Sequence, residues 1–206
     1  MAKQILIVEA SPRGAESASR IVSEKLANIL SKQFPNAEFL HRDLTKEEVP
    51  HLDNDAVKAI TARDPAEFQA HQAAVRLSDQ LTEELLAADV LVIGTPTWNC
   101  SIPSVLKAWI DHVIRAGKTF NYNESGVVGH TRIKQAFLVV ASGSVFSEEP
   151  WKSWDFAEPY LRKMLNFLQI ADVQTVRIEG LGMPDLAGSA IPKAEKMLET
   201  LTFAEI

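Results

Sequence analysis

The sequence predicts an α/β fold in which a doubly wound, five-stranded parallel sheet forms a single domain over residues 1–206. Three observations point there. Short bare aliphatic runs alternate with longer segments of helical period. Runs that are apolar on both faces belong to strands buried between two layers of helix. Gly, Pro and Ser cluster where the runs end, and no linker, internal repeat or low-complexity tract divides the chain.

The first strand is residues 5–8, closed by Ser11, Pro12, Arg13 and Gly14. Ala18, Ile21, Val22, Leu26, Ile29 and Leu30 then share one helix face, which Pro35 and Asn36 end. Residues 37–40 are the second strand, leading into His41, Arg42, Asp43 and Leu44. Residues 45–65 are polar and irregular and read as a long connection with room for a short helix. From 65 to 88 a helical pattern returns on Ala70, Ala74, Leu77, Leu81 and Leu85. Residues 90–93 form the third strand, stopped by Gly94, Thr95 and Pro96.

The clearest helix follows, on Ile102, Val105, Leu106, Trp109, Ile110, Val113 and Ile114. Pro103 stands near its start, where a missing N–H is no loss, and Gly117 stops it. Residues 136–140 are the fourth strand and 173–178 the fifth. A helix between them runs on Phe156, Tyr160, Leu161, Met164, Leu165 and Leu168, and a closing helix on Ile191, Ala194, Met197, Leu198 and Leu201.

Composition narrows the function. The chain has 206 residues, 46% hydrophobic and 23% charged, and a net charge of -6, as in an ordinary soluble protein. An acidic chain without a Lys/Arg block is poorly suited to grip nucleic acid. Cys100 is the single cysteine, so an internal disulfide is impossible. The five histidines show no metal-ligand spacing. No signal peptide or membrane span is visible, which predicts a cytoplasmic protein.

In open parallel sheets, ligands bind beyond the carboxyl ends of the strands. Three such ends carry unusual residues. The loop after the first strand, SPRGAESAS, is neither a dinucleotide fingerprint nor a Walker A loop. It places Ser11, Ser17 and Ser19 around a helix N-terminus, where free N–H groups attract an anion such as a phosphate monoester. Ser17 as a simple helix cap is the competing reading. The loop after the third strand contains Thr97, Trp98, Asn99 and Cys100. An aromatic ring and an amide there suit a planar heterocycle, although Trp98 also reads as a core or interface anchor. Ala141, Ser142, Gly143 and Ser144, after the fourth strand, form an ordinary turn that admits close backbone approach. Trp151 and Trp154 read as packing residues, Glu148-Glu149 as a solvated turn, and Cys100 as a small packing residue rather than a redox thiol.

The segment TPTWNCSIPSVLKAWIDHVIRAGKTFNY, residues 95–122, resembles the FMN-dependent azoreductases and NADH:quinone oxidoreductases of flavodoxin-like fold. Their pattern is roughly P-M-Y-N-F-x-I-P-x-x-L-K-x-W-I-D followed by R-A-G-x-T-F-x-Y. The opening S-P-R-G with S-x-S is also similar, and the likeness extends over essentially the whole chain. The resemblance implies strand order 2-1-3-4-5 and one FMN per subunit. Ser11, Ser17, Ala18 and Ser19 would hold its phosphate. Thr97, Trp98, Asn99 and Cys100 would line one side of the isoalloxazine, and Ala141, Ser142, Gly143 and Ser144 the other. It further implies NADH or NADPH as donor, a quinone or azo compound as acceptor, ping-pong turnover, and no catalytic side chain. Homodimers with active sites at the subunit interface are implied too, with Tyr122 and Phe167 bordering the substrate space.

Three departures from the pattern stand out. Cys100 replaces an aromatic. Residues 141–144 lack the arginine of S-R-G-G, and residues 165–170 lack the glycines of L-G-F-I-G-I. Two rival readings keep the fold: a flavodoxin-type electron carrier without its own substrate, and a flavin-free scaffold. Carriers are usually more acidic and need no substrate wall at Phe120 and Tyr122, and intact loops at three strand ends argue against a scaffold.

Overall fold

The central strands are buried on both sides, and that decides the layering. The structure, a computed structural model, describes residues 2–62 and 64–206. Strands β1 (Gln4–Glu9), β2 (Glu38–Asp43), β3 (Val90–Pro96), β6 (Gln135–Ala141) and β7 (Val173–Ile178) form one sheet in the order β2-β1-β3-β6-β7. All neighbours are parallel, with Ile5 beside both Phe39 and Val90, and Ala136 beside both Leu91 and Val173. Numbered within this sheet alone, the order is the expected 2-1-3-4-5.

Strand alternation sends successive residues to opposite layers. Leu6, Val8, Leu91, Ile93, Leu138 and Val140 pack with α4 (Arg76–Ala87), α5 (Ser104–Val113) and α6 (Glu158–Phe167). Ile5, Ile7, Val90, Val92, Phe137 and Val139 pack with α1 (Ala18–Gln33) and α7 (Pro184–Leu198). Edge strands β2 and β7 are only partly covered, which is why their sequences look less like buried runs.

Four features differ from the sequence expectation. The 65–88 helix is divided into α3 (Pro65–His71), a 3₁₀ turn over Gln72–Val75, and α4. The break lets buried Val75 join Ala56 and Ala59 of α2 (Asn54–Thr61) in a small separate core. Helical spacing reads through the break because a short 3₁₀ turn barely disturbs the apolar face. The closing helix starts at Pro184, seven residues before Ile191, and contains Pro192. Trp151 and Trp154 are not packing residues: they are 46% and 54% exposed, edge to face with each other.

The fourth difference is an antiparallel hairpin, β4 (Phe120–Asn123) with β5 (Gly126–Gly129), apart from the main sheet. Two four-residue strands give too few alternations to be read from periodicity.

Candidate functional site

Three loops at the carboxyl ends of β1, β3 and β6 converge, and each is pinned by contacts distant in sequence. In the first, Ser11, Ser17 and Ser19 are all buried at the start of α1. The Ser17 and Ser19 hydroxyls lie 3.0 Å apart, and Ser17 Oγ accepts the Arg20 N–H at 3.4 Å. Ser17 is therefore a helix cap, as one sequence reading held. The N–H groups of Ala18 and Ser19 find no acceptor among the described residues and stay available.

Arg20 sets the shape of this loop. Its Nε and Nη2 donate to the Ser11 carbonyl at 2.9 and 2.7 Å. Nη1 and Nη2 also grip Asp43 at 2.8 and 2.7 Å. Burial opposes the Asp43 charge, but bonds from Arg20 and Thr45 outweigh it and hold the carboxyl below the usual range. Beneath the loop, Glu9 is buried at the end of β1, and burial pushes its carboxyl up to about 7 against the pull of the Arg20 charge. Glu9 Oε2 and Ser23 Oγ have no hydrogen-bond partner among the described residues. Gly94 makes room for them, since a Cβ there would lie 2.5 Å from Glu9 Oε2.

The second loop turns sharply at residues 98–101. Trp98 N–H donates to the Ser101 carbonyl at 2.9 Å, and Ser101 N–H to the Trp98 carbonyl at 3.0 Å. The two central residues, Asn99 and Cys100, have φ of 49° and 65°. Two positive φ values in succession mark a type I′ turn, here made without glycine. Asparagine tolerates this conformation, whereas cysteine is held in it at a cost. The turn leaves the N–H groups of Asn99 and Cys100 without acceptors among the described residues. It also leaves Trp98 46% exposed at the strand end. Cys100 is half-buried, and its carbonyl accepts the Phe156 N–H at 2.9 Å. A cavity of about 420 Å³ lies between the first two loops, lined by Ala10, Pro12, Leu44, Trp98 and Pro103.

The third loop is zipped to a segment the sequence reading passed over. Ser142 N–H donates to Ile178 and Leu181 N–H to Ser142, at 2.9 and 3.1 Å. Gly182 N–H donates to Gly143 at 2.9 Å, and a Cβ on Gly182 would stand 3.3 Å from the Gly143 carbonyl oxygen. Ser142 Oγ donates to the Ser144 carbonyl at 2.7 Å. The first loop is joined to the second through Ala10 N–H to Gly94 at 2.9 Å, and the second to the third through Thr97 N–H to Ala141 at 2.7 Å.

Arg177 holds the chain that follows. It donates to Asp155 at 2.6 Å, to Glu179 at 3.1 Å and to Glu158. Glu179 accepts the N–H groups of Phe146 and Ser147 at 2.8 and 2.9 Å, and Asp155 those of Ala157 and Glu158 at 3.0 and 3.2 Å. Burial opposes the Glu158 charge, and Thr175, Arg162 and Arg177 overcome it and hold the carboxyl low. Arg20, Glu9, Arg177 and the glycines at 180 and 182 carry no local signal that would single them out in the sequence.

Tyr122 and Phe167 lie elsewhere. α5 leaves the top of β3 and runs back for ten residues, about 15 Å, before the hairpin begins. α6 likewise ends near the start of β7. Both aromatics therefore stand at the amino ends of the strands, opposite the three loops. Phe120 connects them, edge to face with Tyr122 at 5.3 Å and with Phe167 at 4.8 Å. Tyr122 is 70% exposed.

The family model described as flavodoxin-like fold matches residues 3–201. A protein of Beijerinckia indica subsp. indica named FMN-dependent NADH:quinone oxidoreductase is 53% identical over 199 residues, covering 97% of this chain and 98% of its own. The chain belongs to the FMN-dependent NADH:quinone oxidoreductase and azoreductase family. A namesake from Agrobacterium fabrum is 41% identical, with 97% and 98% covered. The crystal structure of azoreductase AzrA superposes with a TM-score of 0.85 at 33% identity, covering 96% of this chain and 98% of its own. An FMN-dependent NADH-azoreductase from Bacillus anthracis, solved in complex with FMN, gives 0.81 at 25% identity, with 96% of each chain covered.

Within this oxidoreductase family the three sequence departures acquire geometry. Cys100 is the second left-handed residue of the type I′ turn. The arginine-free loop at 141–144 is held by the backbone of 180–182 and by its own Ser142 hydroxyl. Gln169, at a glycine position of the family pattern, has φ of 62°.

Proposed function

We propose that this chain, as one FMN-binding domain, carries electron pairs from NADH or NADPH to quinones and, by reductive cleavage, to aromatic azo compounds. The observation that carries the reading is the glycine-free type I′ turn at Asn99 and Cys100. It spends backbone strain to present two free N–H donors beside an exposed indole, and such strain clusters where a ligand is bound.

The residues present fit FMN. Three buried hydroxyls and two available N–H groups meet at the start of α1, the donor set a phosphate monoester needs. Ser11, Ser17, Ala18 and Ser19 would hold that phosphate. Thr97, Trp98, Asn99 and Cys100 would flank the ring system on one side, and Ala141, Ser142, Gly143 and Ser144 on the other. FMN held by these residues would supply the chemistry for two-electron transfer between a nicotinamide nucleotide and an acceptor.

The protein's own part is binding and orientation. Trp98 offers a flat apolar surface, and the Asn99 and Cys100 N–H groups offer fixed donors at a heterocycle edge. The shorter Cys100 side chain, where the family pattern has an aromatic, would leave more space beside a bound ring. No acid or base side chain is required, because solvent supplies the protons.

Tyr122 and Phe167 reach an acceptor only in the site of a neighbouring subunit, since they stand at the opposite end of their own sheet. That placement supports a homodimer with shared active sites. We place the enzyme in the cytoplasm; no helix among the described residues is long and apolar enough to cross a membrane.

The test is the visible spectrum of protein loaded with FMN and desalted, followed by anaerobic NADH. Retained flavin bands that bleach establish the oxidoreductase. Retained bands that bleach with neither nucleotide would make the protein a carrier, and no retained flavin would sink the reading. Parallel double-reciprocal lines for donor and acceptor are expected from one site used twice.

A further inference from the structure

We propose that Gln169 is a positioning residue that locks the β4–β5 hairpin to the end of α6, and so fixes Tyr122 as the acceptor wall offered to the neighbouring subunit. This rests on the shared-site reading above. Four observations support it.

Gln169 is a long side chain at φ 62°, a conformation that favours glycine, in a place where the family pattern has glycine. What it makes there is specific. Its Oε1 accepts the Gly129 N–H at 3.1 Å, and its Nε2 donates to the Val127 carbonyl at 3.0 Å. These groups lie two residues apart on the outer edge of β5, so the amide occupies the place of one residue of a third strand. Val127 is the residue directly opposite Tyr122 across the hairpin.

Gly129 completes the lock. A Cβ there would fall 2.1 Å from the Leu168 carbonyl oxygen, so only glycine lets the strand lie flush against the 168–169 peptide. Phe120, the residue opposite Gly129 in the hairpin, packs edge to face on Phe167. A two-strand hairpin is marginal alone. Tied at this point, it holds Tyr122 in place before the acceptor arrives, which lowers the ordering cost of binding.

The experiment uses the full-length, FMN-loaded protein with Gln169→Gly, which removes the amide but relieves the backbone, and Gln169→Asn, which suits the left-handed conformation but is one methylene too short. Hydrogen exchange over 126–129 is read by mass spectrometry, and KM for a naphthoquinone is measured at saturating NADH. Both variants are expected to exchange faster at the hairpin. Acceptor KM should rise about five-fold, with kcat within about two-fold. In a Tyr122→Ala background the Gln169→Gly change should leave KM unmoved, because the wall it positions is gone. Unchanged exchange with unchanged KM, or equal KM shifts in both backgrounds, would overturn the proposal. If the unmutated protein holds FMN but reduces no quinone, or sediments as a monomer, the shared-site reading fails and the acceptor role falls with it. The exchange data then still judge the lock itself.

Discussion

Two guanidinium groups hold opposite sides of the candidate site, and they do it differently. Arg20, near edge strand β2, grips the Ser11 carbonyl directly and is balanced by one carboxylate, Asp43. Arg177, on edge strand β7, touches no loop backbone. It gathers Asp155, Glu158 and Glu179, and those carboxylates hold the N–H groups of residues 146, 147, 157 and 158. The first arrangement is a local clamp that survives the loss of one contact, because Thr45 also donates to Asp43. The second concentrates acidic charge on one cation, and its loops depend on that cation staying in place.

The largest expected effect follows. Arg177→Met leaves three largely buried carboxylates short of a partner and should lower the unfolding free energy by about 3–5 kcal/mol. Arg20→Met should lose only about 1–2 kcal/mol. Urea unfolding of both variants is the measurement, and equal losses would break the comparison.

Glu9 sharpens it next, being a buried carboxyl on the Arg20 side without a hydrogen-bonded partner for Oε2. Its folded pKa of about 7 exceeds the ordinary 4.5, so between those values the folded state holds a proton the unfolded state has lost. Stability from this group is therefore full below pH 4.5 and declines as pH rises through 7. Glu9→Gln should raise stability at pH 8 by roughly 2–3 kcal/mol and change little at pH 4. Thermal unfolding across that range would show it, and an equal gain at both pH values would refute the assignment.

Asp43 has the opposite sign. Its folded pKa is depressed, so its stabilisation is full above the ordinary carboxylate pKa and lost as pH falls through the folded value. Asp43→Asn should cost about 1–2 kcal/mol at neutral pH, with the difference from the unmutated protein closing under strong acid. Ser17→Ala is the smallest change in stability, about 1 kcal/mol for a lost cap. It should weaken FMN binding as well, measured by fluorescence titration, whereas Ser142→Ala should leave the cap intact.

Buried strands β1, β3 and β6 were legible because a strand covered on both faces must be apolar throughout. Ser17, Trp98 and Asn99 were legible as site candidates because their chemistry shows in residue type alone. The hairpin was not, since four residues of mixed polarity give no period, and neither was the break at 72–75. The Arg20–Asp43 pair and the Arg177 cluster join residues from separate elements, and nothing near either arginine in the chain distinguishes it from a solvated one.

The sequence by itself determined the layered α/β architecture, the strand order once the family pattern is recognised, and the three strand-end loops that make up the candidate site. Periodicity and strand-end chemistry are local properties and survive without coordinates. Only the tertiary structure decided that Asn99 and Cys100 are left-handed, that Glu9 is buried without a partner, and that Tyr122 and Phe167 stand at the far end of the sheet. Backbone sign, burial and distance arise from packing between elements, and no window of neighbouring residues encodes them.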